Sequence, residues 1–206
     1  MNKLVSSATV TCLGGRRLQS DEIGRLRRLV NSGGDCLEFL GYAVNLDSGK
    51  VYDRLKKEKL CSEKDVEVLF ILLAHYSVAE PVERTGRLVK FRDLPGGFAY
   101  EKAFTQRVIE PVAKTFGDKP EALIEAAKLL NGVALTYGDS SVEIPALTRI
   151  PIVYILWKAD EFPASATVLF NQSASHYLPT EDLAVLAETT TMRLEQSWAT
   201  LRKRKT

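Results

Sequence analysis

The spacing of hydrophobic residues divides the chain into helical stretches and alternating, strand-like stretches. In the helical stretches, apolar residues recur every three to four positions, as on one face of an amphipathic helix. Gly, Pro, Ser and Asp separate these stretches and supply the caps and stops of helices. The helices predicted in this way begin near Ser20, Ser62, Tyr100, Asp118 and Thr180.

The strands are predicted where the hydrophobic period falls to two, mostly after residue 133. Residues 152–157 form the most apolar of these runs, and we predict a central strand buried on both faces there. An earlier run, residues 36–44, precedes turn residues and a second extended piece, which predicts a β-hairpin. The remaining strand candidates are residues 87–91, 133–135, 141–144 and 166–170.

The grouping of these elements predicts the fold class. Strands and helices fall in blocks instead of alternating, which indicates an α+β fold with a mainly antiparallel sheet packed against about four to five helices. Residues 1–19 have no clear period, and we predict a flexible lead-in there. The length of 206 residues fits one domain, so we assign residues 20–206 to a single α+β domain.

Composition and charge narrow the class of protein. The chain is 45% hydrophobic and 26% charged, as expected for a packed globular protein. Its formal net charge is only +2. Basic residues do cluster at 16–28 and 202–205, but charged ends are most often solvated, and this balance does not indicate a nucleic-acid partner.

The cysteines and the hydropathy pattern bear on location. The chain has three cysteines, and they are scattered without a Cys-x-x-Cys pair, which argues against a disulfide framework and against a structural zinc site. Free thiols suit a reducing cytoplasm. No apolar run approaches the roughly 20 residues of a membrane span. We therefore predict a soluble, cytoplasmic protein without a metal site.

The first chemical candidate lies at residues 175–183, before the last predicted helix. Thr180 and Glu181 are explained as a helix start, since a hydroxyl caps the first amides and the helix dipole favours a carboxylate by about 0.3–1 kcal/mol. His176 and Tyr177 have no such explanation. They could bind a ligand, hold a metal or tetrapyrrole axially, or transfer protons. The more common alternative is a loop histidine bonded to a backbone carbonyl.

The second candidate is the glycine-rich turn that leads into the third helix. Gly96 and Gly97 permit backbone conformations closed to other residues, and amides at such a turn can bind an anion. Arg92 would be the charged partner, with Tyr100 close by in sequence. The turn matches neither a P-loop nor the G-x-G-x-x-G spacing. A purely structural turn is the simpler interpretation.

A separate pair of carboxylates, Asp160 and Glu161, follows the predicted central strand. Adjacent carboxylates can raise one another's pKa and serve as acid and base. An ordinary solvated hairpin turn is the interpretation that we favour. Antiparallel pairing of residues 150–157 with 166–170 would place this loop at the opposite end of the hairpin from residues 175–180.

Several of these segments resemble the domain of unknown function family 3786, a group of bacterial and archaeal proteins, over about residues 36–198. The segments that carry the resemblance are residues 72–76, 91–97, 116–118, 155–157, 160–163 and 175–184. The resemblance implies no activity. Some relatives are joined to a four-cysteine iron–sulfur module, which implies cofactor metabolism and a corrinoid or haem as ligand. The three cysteines of this chain cannot reproduce that module.

Three hypotheses about function follow. The first is a non-enzymatic module that binds a cofactor-like small molecule, such as a tetrapyrrole, beside His176 and residues 95–100. The second is an enzyme in which His176 with Glu181, or Asp160 with Glu161, performs acid–base chemistry. The third is an accessory protein whose basic ends contact an acidic partner. The sequence favours the first, with His176, Tyr177, Glu181, Arg92, Gly96, Gly97 and Tyr100 as candidate ligand-binding residues.

Overall fold

A computed structural model of the chain describes residues 18–29 and 36–205. The predicted lead-in at residues 1–19 lies outside this part except for Leu18 and Gln19, and the side chain of Leu18 is buried. The basic pair Arg16 and Arg17 also lies outside the described residues.

The described residues form an α+β fold, as the sequence predicts. Its helices are α1 (Ser20–Leu29), α2 (Glu63–Ser77), α3 (Gly97–Phe104), α4 (Glu110–Phe116), α5 (Glu121–Lys128), α6 (Ala174–Tyr177) and α7 (Thr180–Lys205). Its strands are β1 (Cys36–Phe39), β2 (Tyr42–Asn45), β3 (Val51–Asp53), β4 (Lys59–Leu60), β5 (Leu88–Lys90), β6 (Val133–Leu135), β7 (Ser140–Leu147), β8 (Ile150–Trp157) and β9 (Ser165–Asn171).

The chain packs as two compact units. Of the residues described, one unit comprises 18–29, 36–38 and 42–80, and the other comprises 39–41 and 81–205. The first unit pairs its strands in the order β1-β2-β3-β4 and packs α1 against α2. The second unit holds a five-stranded antiparallel sheet in the order β5-β9-β8-β7-β6.

One prediction for the first third of the chain needs correction, and another is confirmed. Residues 36–44 form two strands, because Leu40 and Gly41 have φ angles of 49° and 72°, as in a two-residue hairpin turn. Helix α2 begins after Ser62 as predicted, and the Ser62 hydroxyl accepts from the Asp65 amide.

The sheet of the second unit is built around β8. Ile150 through Leu156 are all buried, which confirms the predicted central strand. Strand β8 pairs with β9 from Ile152↔Phe170 to Trp157↔Ser165. The loop at residues 158–164 therefore lies at one end of this hairpin, and the residues that follow β9 begin at the other.

Helix α7 contributes polar groups to the buried interior of the second unit. The hydroxyl of Tyr154 lies 3.3 Å from the Ala187 carbonyl and 3.2 Å from the Thr191 hydroxyl. Burial raises the pKa of Tyr154 far above its usual value. Arg193 is also fully buried. Its Nε donates to the carbonyl of Leu40 at 2.8 Å, so the burial of this charge is compensated by a charge-assisted hydrogen bond.

The predicted third helix contains an irregular turn. Residues 97–116 are helical throughout, but Thr105–Ile109 adopt a π conformation, and the Glu110 amide donates to the Thr105 carbonyl five residues back. Pro111 follows at once, and a proline ring would press on the carbonyl four residues earlier in a regular α-helix. The wider π turn directly before Pro111 places the irregularity where that conflict would arise.

Candidate functional site

The stretch around His176 and Tyr177 is held by hydrogen bonds to distant backbone. The Tyr177 side chain is 3% exposed. Its hydroxyl donates to the Val82 carbonyl at 2.9 Å and accepts from the Val82 amide at 2.8 Å. Tyr177 therefore joins two segments of the chain that are 95 residues apart in sequence. Its polar group is fully used in that contact, so Tyr177 acts as an anchor.

His176 is the exposed member of the pair. It lies in the short helix α6, and its ring stands edge-on to that of Tyr177, with 5.3 Å between centroids and 88° between planes. The ring of the buried tyrosine packs against the imidazole, and His176 as a whole is exposed. Glu181, in the first turn of α7, is also exposed.

Thr180 does not cap α7 as the sequence predicts. The helix already includes Thr180, and its hydroxyl donates to the Pro95 carbonyl at 2.7 Å. This bond ties the His176 segment to the glycine-rich turn, so the structure brings the backbones of two candidate segments together. At the end of β9, Asn171 accepts hydrogen bonds from Thr85 and Ser173. We refer to Asn171–Thr180 and the backbone they hold, at Val82, Thr85 and Pro95, as the anchored end.

The two glycines of the turn have different structural roles. Gly96 has a φ of 76° and open space where a Cβ would point. Gly97 packs directly against the chain, and a Cβ there would lie 2.0 Å from the Phe91 carbonyl oxygen. Gly97 is thus required by a close approach of backbone, and Gly96 by its left-handed conformation.

Buried aromatic rings support the glycine-rich turn. The rings of Phe91 and Phe104 stack with centroids 4.1 Å apart, and Phe170 of β9 lies 6.2 Å from Phe104. All three are buried. Because Phe91 precedes Arg92 directly, this cluster sets the position at which the Arg92 side chain leaves the backbone.

Arg92 lies between an aromatic ring and a carboxylate. Its guanidinium carbon is 5.3 Å from the centroid of Phe98, and Nη1 donates to Glu101 at 3.1 Å. Phe98 is 69% exposed and Tyr100 is 51% exposed. Arg92 therefore keeps donors on the side turned away from Glu101, since a guanidinium carries five.

Arg92 also lines a groove of about 120 Å³. Its lining residues are Lys90, Phe91, Arg92, Glu101, Phe104, Thr105, Ile109, Thr167 and Val168. The hydroxyls of Thr105 and Thr167 make no hydrogen bond to any residue that the structure describes. We call this feature the Arg92 groove.

The Arg92 groove contains residues that sequence reasoning missed. Lys90 and Thr167 were assigned only to strands, and Thr105 belongs to the π turn. Pro111 was a usable signal for the irregular helix, and π turns are frequent at functional sites. Pairing of β5 with β9, which brings Lys90 opposite Leu169, could not be derived from spacing.

Asp160 and Glu161 lie apart from this region. Both are exposed in the loop between β8 and β9, where the Asp160 amide donates to the Phe162 carbonyl at 3.0 Å. The structure therefore gives two separate candidate regions in the second unit, at different ends of the β8–β9 hairpin.

The described residues hold no group of three or more His, Cys, Asp and Glu side chains able to bind a metal ion. Cys36 and Cys61 are free thiols, and burial raises the pKa of Cys36, with a further contribution from Glu38. Over residues 18–29 and 36–205, no helix is long and apolar enough to cross a membrane.

The fold and its site define an α+β protein with a small polar groove next to an anchored turn. A family model described as "Domain of unknown function (DUF3786)" matches residues 28–193, which is most of the chain. The chain belongs to this family, as the resemblance predicted. Neither a curated protein nor a solved structure matches it.

Proposed function

We propose that the protein is a small-molecule binding module that holds an anionic group of its ligand in the Arg92 groove. The observation that supports this proposal is the convergence of Lys90 and Arg92 on a groove that also carries two hydroxyls without hydrogen-bond partners among the described residues. Cations with neighbouring hydroxyl donors are the groups that recognise phosphate and carboxylate.

The electrostatics permit such binding. Arg92 and Glu101 have side chains 45% and 37% exposed, and ion pairs of that exposure contribute about 0–1 kcal/mol. A ligand anion can therefore use the outer donors of Arg92 or displace Glu101 at small cost. Lys90 is exposed and makes no ion pair with the described residues, so it adds a second positive charge.

The size of the groove limits what enters it. Pockets that enclose a whole small molecule measure about 300–1,000 Å³, whereas this groove measures about 120 Å³. A single phosphate or carboxylate fits that scale, and the body of the ligand would lie outside, against Phe98 and Tyr100. For haem, one of the tetrapyrroles that the family resemblance implies, a peripheral propionate would occupy the groove. His176 would be the candidate axial ligand.

Titration of the full chain tests the proposal. Inorganic phosphate is added while backbone amide shifts are followed by NMR, and haem and cobalamin are added separately while absorption spectra are recorded. We expect phosphate to shift the amides of Lys90, Thr105 and Thr167. Haem or cobalamin should change its spectrum on binding, and His176→Ala should abolish that change if the imidazole is the axial ligand.

The chain offers a matched control. Arg84 pairs with Glu143 at 3.0 Å with side chains 50% and 32% exposed, so it resembles Arg92 in exposure and ion pairing but lies outside the Arg92 groove. Arg92→Gln should abolish the phosphate-induced shifts, and Arg84→Gln should retain them. Equal responses of the two variants, or no shift with phosphate, would overturn the proposal. Unchanged haem and cobalamin spectra would remove the tetrapyrrole alone.

An acid–base enzyme has weaker support. His176, Glu181, Asp160 and Glu161 are all exposed, and none lines the Arg92 groove. General acid–base catalysis needs groups that converge on a reacting atom. We therefore do not assign a catalytic role to either pair.

A further inference from the structure

Three large aromatic side chains are exposed around the turns at the other end of the sheet in the second unit. Tyr137 is 50% exposed, Trp157 is 41% exposed and Phe162 is 79% exposed. Tyr, Trp and Phe are enriched at protein–protein interfaces relative to the rest of the surface, so three of them exposed at one end of a sheet indicate an interaction surface. We call these residues, with Asp139, Asp160 and Glu161, the aromatic end.

Hydrogen bonds hold the first two rings on a shared frame. The Asp139 amide donates to the Leu156 carbonyl at 2.9 Å, and the Lys158 amide donates to the Asp139 carboxylate at 2.9 Å. The turn between β6 and β7 is thereby fastened to the end of β8. Tyr137 and Trp157 consequently present their rings from two turns that cannot separate without breaking both bonds.

Gly138 explains why the two turns approach so closely. It has a φ of 58°, and a Cβ there would lie 2.7 Å from the Leu156 carbonyl oxygen and 3.4 Å from the Trp157 ring. A larger residue would push the turn away from β8. The absence of a side chain at this position is therefore part of the arrangement that exposes the rings.

The charges around the rings are mostly negative. Asp160 and Glu161 are exposed and form no ion pair with the residues described. The bond from the Asp160 amide to the Phe162 carbonyl, 3.0 Å long, makes one tight turn present both carboxylates and the ring. Asp139 adds a third carboxylate, and Lys158 is the single cation of these turns.

We propose that the aromatic end is a docking surface for an arginine- and lysine-rich segment of another protein. Exposed aromatic faces attract guanidinium and ammonium groups through the ring quadrupole, and neighbouring carboxylates supply the complementary charge. An acidic or apolar segment would leave the three carboxylates uncompensated, so charge complementarity selects the basic partner.

Tryptophan fluorescence provides the test. The chain contains two tryptophans, so a Trp198→Phe background leaves Trp157 as the reporter. Hexa-arginine is titrated into this protein, with hexa-glutamate as the opposite probe. We expect a saturable change in Trp157 emission with hexa-arginine that weakens as salt is raised, and no change with hexa-glutamate. No response to hexa-arginine, or an equal response to both peptides, would overturn the proposal.

Two double variants separate local recognition from net charge. Asp160→Asn with Glu161→Gln removes two charges at the aromatic end, and Glu83→Gln with Glu181→Gln removes two from exposed positions beside the anchored end. The first should weaken hexa-arginine binding about tenfold, because it removes two of the three carboxylates that face the cations of the peptide. The second should leave it within about twofold. Equal weakening would refute docking at this surface.

Phe162→Ser tests the aromatic contribution and also identifies a competing occupant. It should weaken hexa-arginine binding several-fold, with an unchanged circular dichroism spectrum because the ring is exposed. The mass of the protein alone is measured by light scattering over a range of concentrations. A mass that doubles with concentration in the parent and not in Phe162→Ser would show that a second copy occupies the surface, and would overturn the proposal.

Discussion

The anchored end and the aromatic end of the second unit use aromatic and polar residues in opposite ways. At the anchored end, Tyr177 is buried and its hydroxyl is consumed by Val82. At the aromatic end, Tyr137 and Trp157 are exposed, and the hydrogen bonds of their turns run through backbone and Asp139. The side chains of the anchored end hold the fold together, whereas those of the aromatic end are exposed to solvent or to a partner.

This difference shows that a dense cluster of chemically versatile residues in a sequence can have a structural role. Residues 175–183 are a candidate site in the sequence because a histidine, a tyrosine and carboxylates lie close together. Most of that chemistry holds the backbone, and His176 remains exposed beside it. The aromatic end has no such density in sequence, because Tyr137 lies in the turn after β6 and Trp157 lies at the end of β8. Substitutions should therefore affect stability at the first end and binding at the second.

The largest expected effect is on the aromatic cluster beneath the glycine-rich turn. Phe104→Ala should lower the free energy of unfolding by about 3–5 kcal/mol, since it removes a buried ring stacked on Phe91. Phe98 lies on the same helix but is 69% exposed, so Phe98→Ala should change it by less than about 0.5 kcal/mol. Urea unfolding measures both. Similar losses would contradict the assignment of Phe104 to structure.

A smaller effect is expected at the hydroxyl of Tyr177. Tyr177→Phe keeps the ring and leaves the amide and carbonyl of Val82 without their partner, which should cost about 1–3 kcal/mol. Tyr137→Phe is the matched change at the aromatic end and should cost less than about 0.5 kcal/mol. Hydrogen exchange of the Val82 amide should also accelerate in Tyr177→Phe. An unchanged exchange rate would show that the hydroxyl does not anchor this backbone.

The smallest expected effect is at Thr180, where two substitutions distinguish the contribution of the hydroxyl from that of side-chain packing. Thr180→Val removes the donor to the Pro95 carbonyl, and the expected loss is about 0.5–1.5 kcal/mol. Thr180→Ser keeps the donor and should recover most of that stability. Thermal unfolding of the three proteins side by side measures the difference. If serine and valine were equally destabilising, packing of the methyl group and not the hydrogen bond would hold the turn.

The parts of the fold that could be predicted are those set by local periodicity. The run at residues 152–157 is predicted as a buried central strand because it is apolar on both faces, and β8 contains those positions. The start of α2 was predicted because Ser62 is a good N-cap, and it caps the helix. Period and capping act over a few residues, so the sequence states them directly.

The parts that could not be predicted depend on partners distant in sequence. Thr180 is equally suited to cap a helix or to bond a carbonyl, and only the approach of Pro95, 85 residues away, decides between them. Asp118 was expected to begin a capped helix, but α5 begins at Glu121 after Pro120 without a side-chain cap. The Arg92 groove likewise depends on pairing of β5 with β9.

The π turn at Thr105–Ile109 determines the direction in which the side chains of α4 point, because α4 continues the same helical run. A residue in an α-helix advances the direction of side chains by about 100°, so removing one residue from the wider turn would rotate α4 by that angle relative to α3. Val112 and Phe116, both now fully buried, would swing away from the interior. The extra residue is thus a fixed spacer, and insertions or deletions should be tolerated far better in the loops than here.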